Sequence, residues 1–213
     1  MQFSTRTMLA LIAAPILALS AAFAAPAAAA QPAAATQTAV LAGGCFWGME
    51  EVFESLSGVT NVVAGFAGGS KETAHYEEVS SGTTGQAESV EITYDPSRIS
   101  YRQLLDVYFT VAHDPTELNR QGPDEGTQYR SAIFYDNAEQ QREATDYIAK
   151  LTLAKKFAAP IVTQVVPLHG FYAAEAYHQH YARLHPDDPY IVYNDAPKVE
   201  ALKKLFPNLI AKT

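Results

Sequence analysis

The stretch Ala39-Val40-Leu41-Ala42-Gly43-Gly44-Cys45-Phe46-Trp47-Gly48 decides how the chain reads. Ala39 to Ala42 is a short apolar run, which predicts a buried strand. After it, Phe46, Met49, Val52, Phe53 and Leu56 recur mostly at three- and four-residue steps, which predicts a helix over 46–57. Cys45 and Trp47, the one cysteine and the one tryptophan of the chain, therefore stand where a strand gives way to a helix. A helix N-terminus offers free N–H groups and the positive end of a dipole, and both favour an anion. A thiolate there is expected to have a lowered pKa and a larger nucleophilic fraction. Gly43 and Gly44 let another group approach the sulfur closely, and Phe46 and Trp47 place aromatic walls beside it. The plain alternative is a small buried hydrophobe, the common fate of a lone cysteine. The glycines before it and the aromatic pair after it favour a reactive thiol.

Outward from this stretch, residues 1–30 read as a signal peptide: Arg6 gives a positive start, Met8 to Leu19 is apolar, and Ala21 to Ala30 is almost all small residues. The apolar core is short and alanine-rich for a membrane anchor. Residues 31–37 read as a linker, and 38–213 as one domain. A periplasmic or secreted location follows as the expectation. The part after the leader keeps 14 of the 15 Lys and Arg, all but Arg6, against 23 Asp and Glu, a formal charge of −9. That acidity argues against nucleic acid and anionic membrane surfaces as partners. One cysteine excludes an intramolecular disulfide and leaves a free thiol in an oxidising compartment.

Strands are expected at 38–42, 59–66, 87–94, 131–135 and 162–167, and helices at 46–57, 101–112, 138–156, 173–184 and 197–205. Val90, Ile92 and Tyr94 alternate with Glu91 and Thr93, the pattern of a half-buried strand. Ser100 and Gln103 are spaced for a capping box. Strands mixed with helices in this order predict an α/β or α+β sandwich in a single domain.

The segment Gly43-Gly44-Cys45-Phe46-Trp47-Gly48 and its amphipathic helix resemble the active-site signature of the A-type peptide methionine sulfoxide reductases. The resemblance continues in order through Gly65-Phe66-Ala67-Gly68-Gly69, Tyr76-Glu77-Glu78-Val79, Gly85-Gln86-Ala87-Glu88-Ser89-Val90, His113-Asp114-Pro115-Thr116 and Gly126-Thr127-Gln128-Tyr129-Arg130-Ser131. Each block alone is weak; six in the family's order are specific. The resemblance implies a two-layer sandwich with a mixed sheet and flanking helices. It implies reduction of protein-bound and free methionine (S)-S-oxide through a Cys45 sulfenic acid, in repair of oxidised exported proteins. It makes Glu88 the acid, Tyr76 and Tyr129 hydrogen-bond donors to the sulfoxide oxygen, and Asp124 an acid near the pocket, on a loop stiffened by Pro123 where relatives often have asparagine. Phe46 and Trp47 become the holders of the substrate methyl group, and His178 a candidate pocket wall. Taken singly, Glu88 could be a solvated strand-edge carboxylate, Asp124 a turn residue, the tyrosines ordinary aromatics and His178 an exposed histidine.

An apolar pocket would raise the Glu88 pKa and keep its proton available. Attack on a sulfoxide sulfur loads charge onto oxygen, where fixed hydroxyl donors act as an oxyanion hole does. His178 and His180, two apart, fall on different faces of a helix, no histidine pair has four-residue spacing, and no second cysteine exists, so no metal is expected. No cofactor is expected either, only an external thiol reductant, a thioredoxin-like protein or a small thiol. The expected partners are that reductant and methionine sulfoxide proteins, with a monomer as the expected state. Two rivals fit the same thiol: a cysteine-based thiol peroxidase, and a non-catalytic binder of oxidised peptides.

Overall fold

Gln37–Ala42 forms β1, and the computed structural model, which describes residues 1–3 and 35–211, shows it ending at Gly43 with the turn into α1 (Phe46–Glu54). The chain divides into two units, Met1–Ala33 and Ala34–Thr213, and the second carries every element below. The expected leader, apart from its first three residues, and most of the expected linker lie outside the described residues. Among the described residues no helix is long and apolar enough to cross a membrane.

After α1 come β2 (Val59–Ala67), α2 (Tyr76–Val79), β3 (Ala87–Tyr94) and α3 (Tyr101–Val107). Then follow β4 (Arg120–Gln121), β5 (Asp124–Glu125), β6 (Ala132–Tyr135), α4 (Ala138–Leu153), β7 (Gln164–Pro167), β8 (Phe171–Ala173), α5 (Tyr181–Leu184) and α6 (Ala196–Leu205). Six strands make one mixed sheet in the order β7-β6-β1-β3-β2-β8. The β6–β7 pair is parallel and the other neighbours are antiparallel. A parallel pair needs a crossover, and α4 supplies it.

Successive strand residues point to opposite faces, and β1 shows the result. Ala39 and Leu41 enter the main core with Phe46, Met49, Phe53, Ile92, Leu104 and Leu202. Val40 and Ala42 face a smaller cluster with Ala67, Ala87, Ala132 and Phe134. The expected sandwich with a mixed sheet and flanking helices is the observed one. Ser100 caps α3 as expected: its hydroxyl accepts from the Gln103 N–H while the Gln103 side chain accepts from the Ser100 N–H.

Three expectations change. The helix after Cys45 stops at Glu54 rather than at 57, and Leu56 instead bridges to Ile210. The helix expected over 101–112 passes after Val107 into one π-turn, Tyr108–Ala112. The segment 173–184 is no single helix. Phe171–Ala173 is the edge strand β8, Ala176–His178 is a short 3₁₀ turn, and His180 takes a left-handed conformation (φ 57°) before α5. The apolar spacing there comes from a strand, a 3₁₀ turn and a short helix in succession, a distinction periodicity cannot make in short runs. The β4–β5 hairpin and α2 had no sequence pattern to announce them.

Candidate active site

Cys45 is the N-cap residue of α1 and only 8 % exposed. Its position depends on Gly44, which holds φ at +95°, a region that favours glycine. A side chain at Gly44 would also strike Gln121, whose carbons lie 2.5 Å and 2.6 Å from where a Cβ would stand. Behind Gly43 lies His113, whose ring donates through Nδ1 to the Tyr108 carbonyl (2.9 Å) and meets the Ser131 hydroxyl through Nε2 (2.8 Å), in the tautomer this network assigns. Burial pushes His113 down to about 4, so it is neutral and acts as a prop.

The N–H of Phe46 donates to Oε2 of Glu88 at 3.1 Å. Glu88 sits near the start of β3, paired in register with Phe66, and is 3 % exposed. Burial pushes its carboxyl up to about 8, against the lowering pull of the Phe46 N–H, so it carries a proton at neutral pH. Arg130 fixes its approach. Nη1 donates to the carbonyls of Gln86 and Thr127, both at 2.9 Å, and Nη2 to that of Gly85 at 2.8 Å. One guanidinium thus binds the loop leading into Glu88 to the turn that carries Tyr129.

Tyr129 and Tyr76 are half-buried, and burial raises both; the charges of Glu88 and Cys45 reach each of them. The Thr127 hydroxyl donates to the Gly82 carbonyl at 2.6 Å, which ties the Tyr129 turn to the loop after α2, the helix of Tyr76. The Tyr76 N–H donates to Glu175 at 3.1 Å, and the Tyr76 ring lies 4.2 Å from that of His178. Asp124, on β5, is half-buried, and its carboxylate accepts from the Tyr190 hydroxyl.

The aromatic residues split. Phe46 is fully buried, 5.7 Å from Phe66 and 5.0 Å from His178 between ring centres. Trp47 is half-buried; its indole N–H donates to His178 Nδ1 at 3.1 Å, its ring stacks on Tyr181 at 3.9 Å, and Tyr190 meets it edge-on at 5.8 Å. His178 is buried and neutral, and among the described residues its Nε2 has no partner.

The expectation of a lowered thiol pKa fails. Burial pushes Cys45 well above the usual thiol range, and the carboxylates of Glu88 and Asp195 add to it; only the Trp47 N–H pulls the other way. The helix terminus does offer N–H groups, but that of Phe46 serves Glu88, and one remaining donor does not offset desolvation. Because Glu88 titrates near 8, its charge appears first and then holds the thiol proton in place.

Sequence reasoning missed a set of residues from the tail. Tyr190, Asn194 and Lys198 join Cys45, Gln121 and Asp124 around a cavity of about 80 Å³ at the sulfur. Asp195 is fully buried, paired with Lys198 at 3.1 Å, and packed so tightly on Gly48 that a side chain there would collide with its carboxylate. No spacing rule marks them; only their return over Cys45 does. The arrangement joins a buried thiol, a protonated carboxylic acid and two hydroxyl donors, a set able to attack an electrophilic atom and protonate the oxygen it releases.

Residues 37–209 match the family model described as Peptide methionine sulfoxide reductase. The chain is 57% identical over 175 residues to "Peptide methionine sulfoxide reductase MsrA 2" of Mesorhizobium japonicum, which covers 82% of this chain and 90% of that one. It is 50% identical over 167 residues to "Peptide methionine sulfoxide reductase MsrA" of Nautilia profundicola, over 78% of this chain and 94% of the relative. Among solved structures it is similar to reduced Mxr1 of Saccharomyces cerevisiae, at TM-score 0.68 and 34% identity over 73% of this chain and 88% of that one. Methionine sulfoxide reductase A of Corynebacterium diphtheriae aligns at TM-score 0.64 and 37% identity, over 74% and 77% of the two chains.

Proposed function

This chain belongs to the peptide methionine sulfoxide reductase family, and on that premise we propose that it reduces methionine (S)-S-oxide, free or in proteins, to methionine through a sulfenic acid on Cys45. The observation that carries this reading is the acid beside the nucleophile: Glu88 accepts the N–H of the residue after Cys45 and keeps its proton at neutral pH.

The sulfoxide enters with its sulfur facing the Cys45 sulfur and its oxygen towards Glu88, Tyr76 and Tyr129. Proton transfer from Glu88 to that oxygen makes the substrate sulfur more electrophilic. The Cys45 thiol yields its proton to the Glu88 carboxylate so formed and attacks as thiolate. The attack forms a sulfur–sulfur bond; that bond and the sulfur–oxygen bond of the substrate then break as the hydroxyl passes to Cys45, and methionine leaves. Thiol plus sulfoxide give sulfenic acid plus thioether, with Glu88 returned to its acid form. An external dithiol then reduces the sulfenic acid, giving water, the free Cys45 thiol and the oxidised dithiol. A high thiol pKa in the unliganded protein suits this order, because the proton departs only when a sulfoxide is present to receive one.

Trp47 is suited to the substrate methyl group, with Phe46 as its buried backing. The signal-like leader supports work on exported proteins, with a thioredoxin-like protein or a small thiol of that compartment as reductant. The test incubates the protein with an (S)-sulfoxide peptide and a dithiol and follows thioether formation. Product that vanishes in Cys45→Ser sustains the reading; hydrogen peroxide consumed while sulfoxide persists identifies a thiol peroxidase, and sulfoxide bound but unchanged identifies a binder.

A further inference from the structure

We propose that Glu50, Glu54 and His180 bind a divalent transition cation of the zinc class, which fastens the segment carrying His178 and Tyr181 to α1. Glu50 and Glu54 are four residues apart on α1 and so lie on one face of it. His180 reaches them from the left-handed junction before α5. Its N–H donates to Glu50 Oε2 at 2.6 Å; its Nδ1 lies 2.6 Å from Glu54 Oε1 and 3.6 Å from Glu50 Oε1. One donor atom from each residue falls within 4.8 Å of the others.

The second observation is an orphaned atom. Glu50 is 1 % exposed, and among the described residues its Oε1 has no hydrogen-bond partner. Buried carboxylate oxygens are expensive to leave unpaired, and this one faces the imidazole of the same cluster. Arg183 is the nearby positive charge that Glu50 feels, yet among the described residues it forms no ion pair with either carboxylate.

Two carboxylate oxygens and one imidazole nitrogen form a donor set suited to zinc, with solvent completing the coordination. Tetrahedral ligands about 2.1 Å from a metal stand roughly 3.4 Å apart. The Glu50–His180 separation of 3.6 Å already fits. The hydrogen bond between Glu54 and His180 must open, which the exposed rim allows: the two side chains are 21% and 37% accessible. A cleft of about 310 Å³ bordered by Glu54, Ser55 and Arg183 lies alongside. Histidine spacing had argued against a metal; the ligands here are a carboxylate pair on one helix and a single distant histidine.

The fastening would matter because the same short segment positions two of the partners of Trp47, His178 and Tyr181. The test titrates zinc chloride into the metal-free full chain carrying Cys45→Ser, which removes the competing thiol, and reads heat and thermal midpoint. The expected result is one zinc per chain with a raised midpoint, and binding weakened about tenfold or more by Glu54→Gln or by His180→Asn. His180→Asn tolerates the left-handed backbone and keeps the N–H that serves Glu50, and circular dichroism confirms that each variant is folded. Weakening in either folded variant sustains the site. No heat or midpoint shift up to roughly millimolar zinc, or binding unchanged in both variants, overturns it.

Discussion

The N–H of Phe46 points at the carboxyl of Glu88, 3.1 Å away, rather than at the thiol of Cys45. The start of α1 therefore holds the acid in place, and the sulfur beside it keeps its proton. Geometry that looks made for a resting thiolate instead prepares a proton donor next to a masked nucleophile.

Replacing the acid tests this directly. Glu88→Gln should slow sulfoxide reduction roughly 10²–10⁴-fold, the usual contribution of a general acid. The wild-type rate should fall as pH rises through about 8, where Glu88 loses its proton. The variant should lack that fall, and its deficit should shrink at low pH, where solvent supplies protons. Steady-state rates from pH 5 to 9.5 decide, and a variant matching wild type throughout would reduce Glu88 to a buried strand residue.

The thiol itself can be titrated. Burial, Glu88 and Asp195 all raise Cys45, so alkylation by iodoacetamide in the absence of substrate should keep accelerating past the usual thiol range near pH 8.5. Asn in place of Asp195 removes one of the raising charges and should shift the profile to lower pH. A midpoint below 7 in the wild-type protein would restore the resting thiolate and contradict the proton order proposed above.

Stability should carry the same signature. The Glu88 carboxyl is raised from 4.5 to about 8 on folding. A raised carboxyl favours the folded state fully below its unfolded pKa, and that contribution is lost as pH climbs through the folded value. Glu88→Gln has no such proton, so its stability relative to wild type should improve between pH 4.5 and 8 and level off beyond. The gain should be on the order of a few kcal/mol for so buried a group. Urea unfolding at pH 5 and pH 9 measures it; a difference between the two proteins that ignores pH would remove the buried acid from the account.

What the sequence made legible follows from where local rules apply. The β1–Cys45–α1 junction, the β3 alternation and the Ser100 capping box are set by neighbours in the chain, and all three stand in the structure. Glu88 and Tyr129 could be singled out through family motifs, but the Arg130 guanidinium that joins their loops could not. Its three carbonyl partners have no pattern. Tyr190 and Asp195 return to the surroundings of Cys45 from the far end of the chain, through a tail whose prolines and aspartates read as surface. The thiol pKa was misjudged for a related reason. The helix terminus is a local feature, whereas burial and the neighbouring carboxylates are set by tertiary packing.

The Tyr190 hydroxyl donates to the Asp124 carboxylate at the rim of the thiol cavity. Tyr190→Phe removes the donor and leaves a half-buried carboxylate without it, at a cost of about 1–3 kcal/mol in local order. Asp124 should then swing away, and the loss should appear mostly in KM. Equal KM values for the two proteins would show that the pair supports the fold without touching the substrate. Trp47→Ala, by contrast, removes the ring held between His178 and Tyr181 and should cost more on methyl sulfoxides than on bulkier ones.

The final prediction concerns recovery after turnover. Cys45 is the sole cysteine, and the tail that closes over it brings Tyr190, Asn194 and Lys198 rather than a second thiol. The sulfenic acid therefore has no partner in its own chain and must wait for an external thiol. Its shelter is the small cavity itself: Cys45 is only 8 % exposed, which slows access of further oxidant, although overoxidation to sulfinic acid stays open chemically. Without reductant, one equivalent of methionine should form per chain and then stop. A sulfenic-acid trap should label Cys45 after that turnover, and mass spectrometry should show no intramolecular disulfide. Added dithiol should restore repeated turnover in step with its own oxidation. Two equivalents of methionine per chain without reductant, or product without any trapped adduct, would mean that the oxygen never resides on Cys45.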